Sequence, residues 1–254
     1  MELKATSDEL LSKVPEVTLL FWVIKIAATT FGETAGDAVS MSLNLGYLIG
    51  TLIFAVIFAG AVVAQIAARE FRPFLYWTTI IASTTVGTTL ADFVDRSLGI
   101  GYAGGTTLLI TLLMMSLFAW YRTLGSISID TVRSPKSEMF YWVTIMLSQT
   151  LGTALGDWSA DTAGLGYIGG AVLFSALLAL VAAAYLWSDI SRTLLFWTAF
   201  VLTRPLGAVV GDFLDKPISA GGLALSRYSA SAALLAFIVA CIVLFPHRAA
   251  QKAH

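Results

Sequence analysis

The chain has 254 residues, 57% of them hydrophobic and 12% charged, with a formal net charge of -1 and a mean hydropathy of +0.83. A soluble domain carries about 25% charged residues, so this composition excludes an ordinary cytosolic enzyme and a disordered chain. The near-zero net charge also excludes a nucleic-acid binder. What remains is an all-α, multi-pass integral membrane protein. Cys241 is the single cysteine, and His247 and His254 both lie in the C-terminal tail, which excludes Cys/His zinc sites and most soft-metal sites.

In chain order, residues 1–16 carry Glu2, Lys4, Asp8, Glu9, Lys13 and Pro15 before the first apolar run. They lack the basic-then-apolar pattern of a signal peptide and read as an uncleaved cytoplasmic tail or a short surface helix. Eight hydrophobic spans follow, at roughly 18–38, 47–68, 75–93, 102–121, 139–158, 167–187, 194–213 and 223–245. About 20 residues at 1.5 Å each cross a 30 Å hydrocarbon core. The even spans are plain, rich in Leu, Val, Ala and Ile. The odd spans carry Thr, Gly, Ser and charges, and read as the helices that do something.

One unit is written four times. Trp22, Trp77, Trp142 and Trp197 are spaced by 55, 65 and 55 residues, and Asp37, Asp92, Asp157 and Asp212 each follow their Trp by 15. The stretches ending in these aspartates are GETAGD, GTTLAD, GTALGD and GAVVGD. Gly46, Gly101, Gly166 and Gly221 lie nine residues further on, followed by Tyr47, Tyr102 and Tyr167 in the first three repeats. The units fall at 17–72, 73–124, 138–191 and 192–246, with a central linker at 125–137 and a tail at 247–254. Ten Lys and Arg residues lie in the tails and in the loops after spans 2, 4 and 6, against three (Arg96, Lys216, Arg227) on the other side. Both termini are therefore expected in the cytoplasm. Two-span units re-enter from one side, so the four should be parallel and related about the membrane normal, as four units or as two pairs.

Tandem two-span repeats with Gly-x-x-x-Gly-Asp resemble a bacterial family of multi-pass membrane proteins. It is defined by a repeat of unknown function, and its members are called uncharacterised membrane-anchored proteins. The second repeat departs, with Ala91 in place of the second glycine. The resemblance implies this fold and topology in the bacterial cytoplasmic membrane, and brings no activity with it.

Positions 3, 7, 11 and 15 after each Trp form one helix stripe. They read Lys25, Thr29, Glu33, Asp37; Ile80, Thr84, Thr88, Asp92; Ile145, Gln149, Thr153, Asp157; and Phe200, Arg204, Ala208, Asp212. Five carboxylates and two cations sum to -3. A charge at the bilayer centre costs about 2.5–3.5 kcal/mol, so such residues face the bundle interior and pair. With the Trp residues at the cytoplasmic interface, the Asp level lies about 22 Å across. Lys25, about 4–5 Å in, can snorkel to the interface or join the stripe. Arg204 stands ready as partner to a carboxylate or to carbonyls freed by Pro205.

The glycine pairs, including Gly46/Gly50, Gly101/Gly105 and Gly166/Gly170, read as helix-packing devices. The aspartates have two readings. As caps they would end a helix or turn at the outer interface; as a cluster they would share protons or bind a hard cation, with Thr29, Thr84, Thr88, Thr153 and Gln149 adding neutral oxygens. Asp95, Asp161 and Asp215 are expected at the outer surface, Arg227 to snorkel outward, and the Trp and Tyr residues to anchor at the interfaces. No P-loop, GxSxG, HExxH or Rossmann fingerprint is present, so no enzyme is expected.

The first functional expectation is transport of a small hard cation, Mn²⁺- or Mg²⁺-like or monovalent, coupled to protons. Asp37, Asp92, Asp157, Asp212 and Glu33 would bind it, with Arg204 compensating. The alternative is a non-transporting scaffold, sensor or assembly protein whose buried charges are structural. The expected partners are the lipid bilayer and a small ion or proton; a divalent cation is the one cofactor in view, and a homo-oligomer stays open.

Overall fold

The computed structural model describes residues 12–250; the charged residues before Ser12, and Lys252 and His254, lie outside them. The described chain is all-helical, with eight long helices: α1 (Leu19–Asp37), α2 (Gly46–Ala67), α3 (Pro73–Asp92), α4 (Gly101–Leu124), α5 (Pro135–Asp157), α6 (Gly166–Trp187), α7 (Arg192–Asp215) and α8 (Arg227–Leu244). Local chemistry sets several starts. Thr18 accepts from the Phe21 N–H to cap α1, and Ser134 and Ser137 form a capping box ahead of α5. Pro73 and Pro135 sit in first turns, where a missing N–H costs nothing. Ser134→Ala should lower stability by about 1 kcal/mol, read as a shift in the thermal midpoint.

The four odd helices form a closed ring, in which α1 packs on α3, α3 on α5, α5 on α7 and α7 on α1. Each even helix packs chiefly on the odd helix of the next repeat: α2 on α3, α4 on α5, α6 on α7, and α8 back on α1. The repeats are thus interlocked, and the last closes on the first. One such contact joins the Thr34 and Ser231 hydroxyls at 2.8 Å. Cysteines at these two positions should cross-link on mild oxidation in native membranes; failure there, with a Cys pair at Ser116 and Thr144 (also 2.8 Å apart) succeeding, would break the closure.

Glycines set the ring's corners. The glycine ten residues after each Trp faces the residue seven after the next Trp: Gly32 meets Thr84, Gly87 meets Gln149, Gly152 meets Arg204, and Gly207 meets Thr29. One turn further on, Gly36 meets Thr88, Gly156 meets Ala208 and Gly211 meets Glu33. The order of contacts rises the same way along both helices in three of the pairs, and Tyr76–Tyr141 followed by Gly87–Gln149 gives the same order for α3 and α5, so the odd helices run parallel. Close approach also brings the Thr84 hydroxyl to the Ala28 carbonyl and the Thr29 hydroxyl to the Thr203 carbonyl, each at 3.2 Å. The even-helix glycines divide differently from expectation. Gly50, Gly105 and Gly170 do pack, but Gly46, Gly101 and Gly166 meet nothing and have φ of +77°, +72° and +63°. They turn the chain into the helix, a left-handed conformation that costs glycine no Cβ clash.

The outer surface is apolar. α2, α4, α6, α7 and α8 are long and apolar enough to cross a membrane. The even helices present Val56, Met114, Val172, Leu180 and Leu244, each at least 60% exposed, to the surroundings. Contiguous exposed apolar surface on this scale marks a membrane interface. Four of the seven tryptophans depart from the anchoring expectation: Trp77, Trp120, Trp142 and Trp197 are buried. With Tyr76, Tyr141 and Phe196 they close the Trp end of the ring by edge-on packing, and the Tyr76 and Tyr141 hydroxyls meet at 2.7 Å. Three of the four repeat tryptophans and Trp120 of α4 fill the space that the narrow, glycine-lined ring leaves open at its end, while Trp22 stays partly exposed.

The stretch before α1 is also more than a tail. Val14 and Ala250 share a backbone hydrogen bond of 2.8 Å, and Pro15 bridges Ala249. The Lys13 ammonium lies 2.7 Å from Glu138 Oε1 and donates to the carbonyls of Gln65 and Ile66. Burial holds the Glu138 carboxyl above its ordinary range, with Lys13 acting against that shift. Lys13→Met should destabilise by about 3 kcal/mol by leaving that carboxylate buried and unpaired, and Lys13→Met with Glu138→Gln should recover most of it; equal thermal midpoints for the wild type and the single variant would contradict the pairing.

Candidate functional site

The stripe read from the sequence lines the ring's axis. All sixteen residues at its four levels are buried, from the Lys25 level to the Asp level. Helical rise separates successive levels by about 6 Å. Polar groups therefore run through the centre of a bundle whose outside is apolar.

At the first level, Lys25 stands among Ile80, Ile145 and Phe200. It is fully buried, with its ammonium 4.2 Å from the Phe200 ring centroid and 3.5 Å from the Thr203 hydroxyl. It does not snorkel, because α1 turns this face to the axis and the aromatic layer lies between it and the Trp end. At the second level, Thr29 and Thr84 bond across to carbonyls of neighbouring helices, while Gln149 and Arg204 replace the corresponding threonines.

Arg204 spans the second and third levels. Its Nη2 donates to Glu33 Oε2 at 2.9 Å and to the hydroxyls of Thr88 and Thr153 at 2.5 Å each. One guanidinium nitrogen thus joins the third-level residues of three repeats, and the fourth repeat supplies Ala208 there, too short to compete. Arg204 pairs with Glu33, correcting the expectation that it compensates the aspartates. Their charges are met elsewhere.

Arg96 lies 3.0 Å from Asp92 and 3.3 Å from Asp157, bridging repeats two and three. Lys216 pairs with Asp37 and lies 3.0 Å from Asp212, bridging repeats four and one. The four aspartates are gathered as two carboxylate–cation–carboxylate bridges, so a four-fold backbone carries a two-fold charge pattern. Arg96 and Lys216 thus belong to the axis and not to the outer surface, where the charge asymmetry of the sequence places them. Their signal in the sequence is that each follows its Asp by four residues, on the same helical face, in repeats two and four alone; Met41 and Asp161 occupy that position in the others.

The aspartates are not caps. After Asp37, Asp92 and Asp157 the chain continues as a five-residue π-helical turn, α7 runs on to Asp215, and none of the first three makes a side-chain capping bond. These turns carry the chain deeper than expected, so Asp95 and Asp215 are buried, whereas Asp161 is exposed. Arg227 does not reach outward either: it binds Asp215 at 2.7 Å and lies 3.8 Å from Asp37. It opens α8, in which Tyr228 stands second as tyrosines do in α2, α4 and α6.

Among the described residues, the carboxylates within ligand distance of one another are Asp37, Asp212 and Asp215, with one oxygen of each inside 4.8 Å. Such a hard oxygen set suits a small cation. Asp37 Oδ1 and Asp215 Oδ1 accept no hydrogen bond although both are buried. Glu33 lies one turn below Asp37, and Thr88 and Thr153 converge on the arginine between them. Asp92 and Asp157 form the opposite bridge, closed by a guanidinium.

These features define a class: a helical bundle of four interlocked two-helix repeats, with membrane-suited outer helices and a charged axis. The chain belongs to the family described as Repeat of Unknown Function (DUF347), whose profile matches residues 20–71, 75–126, 140–191 and 195–248. Neither the curated proteins nor the solved structures offer a match to it.

Proposed function

We propose that the protein moves a small cation across a membrane, with protons exchanging on the aspartates, and that Asp37, Asp212 and Asp215 form its binding site. The observation that carries this reading is the Lys216 ammonium seated between Asp37 and Asp212. It is a tethered cation held where carboxylate oxygens converge and two of them lack a partner. An ammonium on a flexible stem is displaceable in a way that the planar Arg96 fork is not. A cation entering from the Asp end would displace Lys216 and bind the three carboxylates, and protons would take its place on them when it leaves. The buried Trp layer at one end and the bridged aspartates at the other describe an occluded axis, as alternating access requires.

The same reading takes all eight helices across the bilayer with both termini in the cytoplasm. Counting their π-helical turns, α1, α3 and α5 are at least as long as the apolar α7 with which they share a ring, which supports the full count. The fit of a cation to the trio supports Mn²⁺, Mg²⁺ or a monovalent ion; Asp92 and Asp157 serve the second bridge, and Arg204 and Glu33 lock the middle of the axis. The paired state of every repeat aspartate favours a second reading, a static scaffold. Flux separates the two. Purified protein in liposomes should carry at least one of Mn²⁺, Mg²⁺, Na⁺ or K⁺ faster than empty liposomes, with the rate set by the pH gradient; a scaffold carries none.

Lys216→Met provides a sharper expectation. Without the ammonium the variant should be less stable in the absence of the ion and gain more thermal stability on its addition than wild type does. An equal gain in both would remove Lys216 as the displaced group.

A further inference from the structure

Below the carboxylate end, the axis holds more positive charge than its surroundings balance. Lys25 and Arg204 are both fully buried, and the one carboxylate at their depth, Glu33, is already engaged by Arg204 Nη2 and the Thr88 hydroxyl. The aspartates lie two helical turns beyond Arg204, about 12 Å along the axis, and are held by Arg96 and Lys216. With Lys25 protonated, two cations against one carboxylate leave one positive charge in this buried section of the bundle, where a lone charge is expensive, and an anion beside Lys25 is what would hold that proton.

The hydrogen-bond donors point the same way. Arg204 Nε and Nη1 are buried and have no acceptor, and neither amide atom of Gln149 has a partner. The Lys25 ammonium has a single hydrogen-bond partner, the Thr203 hydroxyl at 3.5 Å, whose own proton goes to the Phe200 carbonyl at 2.8 Å. Buried N–H groups are satisfied in nearly all native proteins, and these come from three helices at two adjacent levels. Apolar Ile80, Ile145 and Phe200 complete the Lys25 level, so the chain supplies no further acceptor from that side. A water molecule would satisfy donors but not cancel charge. An anion does both.

We infer that Lys25, Gln149 and Arg204 form a binding site for one small monovalent anion of halide size, lying on the axis between the Lys25 and Arg204 levels. Levels only about 6 Å apart along a closely packed axis suit a monatomic ion better than a bulky organic acid. Lys25 supplies charge from one side, Arg204 supplies charge and two N–H donors from the other, and the Gln149 amide adds a neutral donor. The carboxylate trio contributes nothing to this site, so the inference stands whether or not that end carries a cation.

The test is equilibrium binding of radioactive chloride to the full-length protein in detergent, together with thermal midpoints in sodium chloride and sodium gluconate at equal ionic strength and pH. Saturable chloride binding near one per chain is expected, displaced by bromide and not by gluconate, with a higher midpoint in chloride. Lys25→Met should weaken chloride binding about tenfold or more, the loss of one charge-assisted contact, and Gln149→Leu should weaken it less. If the lysine variant does not yield a monodisperse protein, the glutamine variant and bromide displacement carry the test. Equal midpoints in the two salts, no saturable chloride binding, or binding unchanged in the folded variants would overturn the site.

Discussion

Replacing Arg204 by methionine is expected to lower folding stability by about 3–5 kcal/mol, the cost of leaving a buried carboxylate without its partner. Arg204 is where three repeats meet: its Nη2 holds Glu33, Thr88 and Thr153 together. Removing it strands Glu33 at a position 2% exposed. The double variant Arg204→Met with Glu33→Gln should regain most of the loss, because a neutral amide is far cheaper to bury than a carboxylate. Thermal denaturation of the three proteins in one detergent reads this directly. If the single and double variants were equally destabilised, the arginine would matter through packing against Gly152 and not through Glu33.

Gly207→Val is expected to cost about 3 kcal/mol or more, through overpacking and loss of the bond between the Thr29 hydroxyl and the Thr203 carbonyl. A Cβ at Gly207 would overlap the Thr29 side chain and stand 2.8 Å from the Thr29 carbonyl carbon, which is backbone and cannot rotate away. The ring would have to open at the α7–α1 corner, and that corner closes the last repeat onto the first. Gly60 is the control, since it lies in α2 with nothing within 4 Å. Gly60→Val should leave the midpoint nearly unchanged, and comparable losses at both positions would contradict the close-packed ring.

The ring and its lining were legible in the sequence because one constraint is repeated four times. A Trp-to-Asp interval of 15 residues, with polar positions every four, names the inward face of each odd helix without reference to any neighbour. The partner of each even helix was not legible: nothing in α2 says that it packs on α3, since its apolar face is nearly uniform and the choice depends on three-dimensional closure. The depth of the tryptophans was missed for a related reason. An aromatic residue near a span's end serves equally as an interfacial anchor or as filler for the ring's end, and only the bundle's width decides between them. The charge pattern at the aspartates lies in stretches that hydropathy alone marks as loops. The π-helical turns extend α1, α3 and α5 by five residues each, which carries Arg96 into the site; α7 extends to Asp215 and sets Lys216 beside its own Asp212. Extra turns of this kind leave no mark in hydropathy.

The proposed function requires the aspartate end to exchange its tethered ammonium for a cation and protons. Ion uptake into liposomes under an imposed pH gradient tests it most directly, with wild type compared against an Asp37→Asn and Asp212→Asn double variant that remains monodisperse. Uptake in wild type should rise when the gradient is imposed with protons free to leave in exchange, and the double variant should stay at the level of empty liposomes. Equal uptake by the two proteins, or none by wild type for any of Mn²⁺, Mg²⁺, Na⁺ and K⁺, would contradict it.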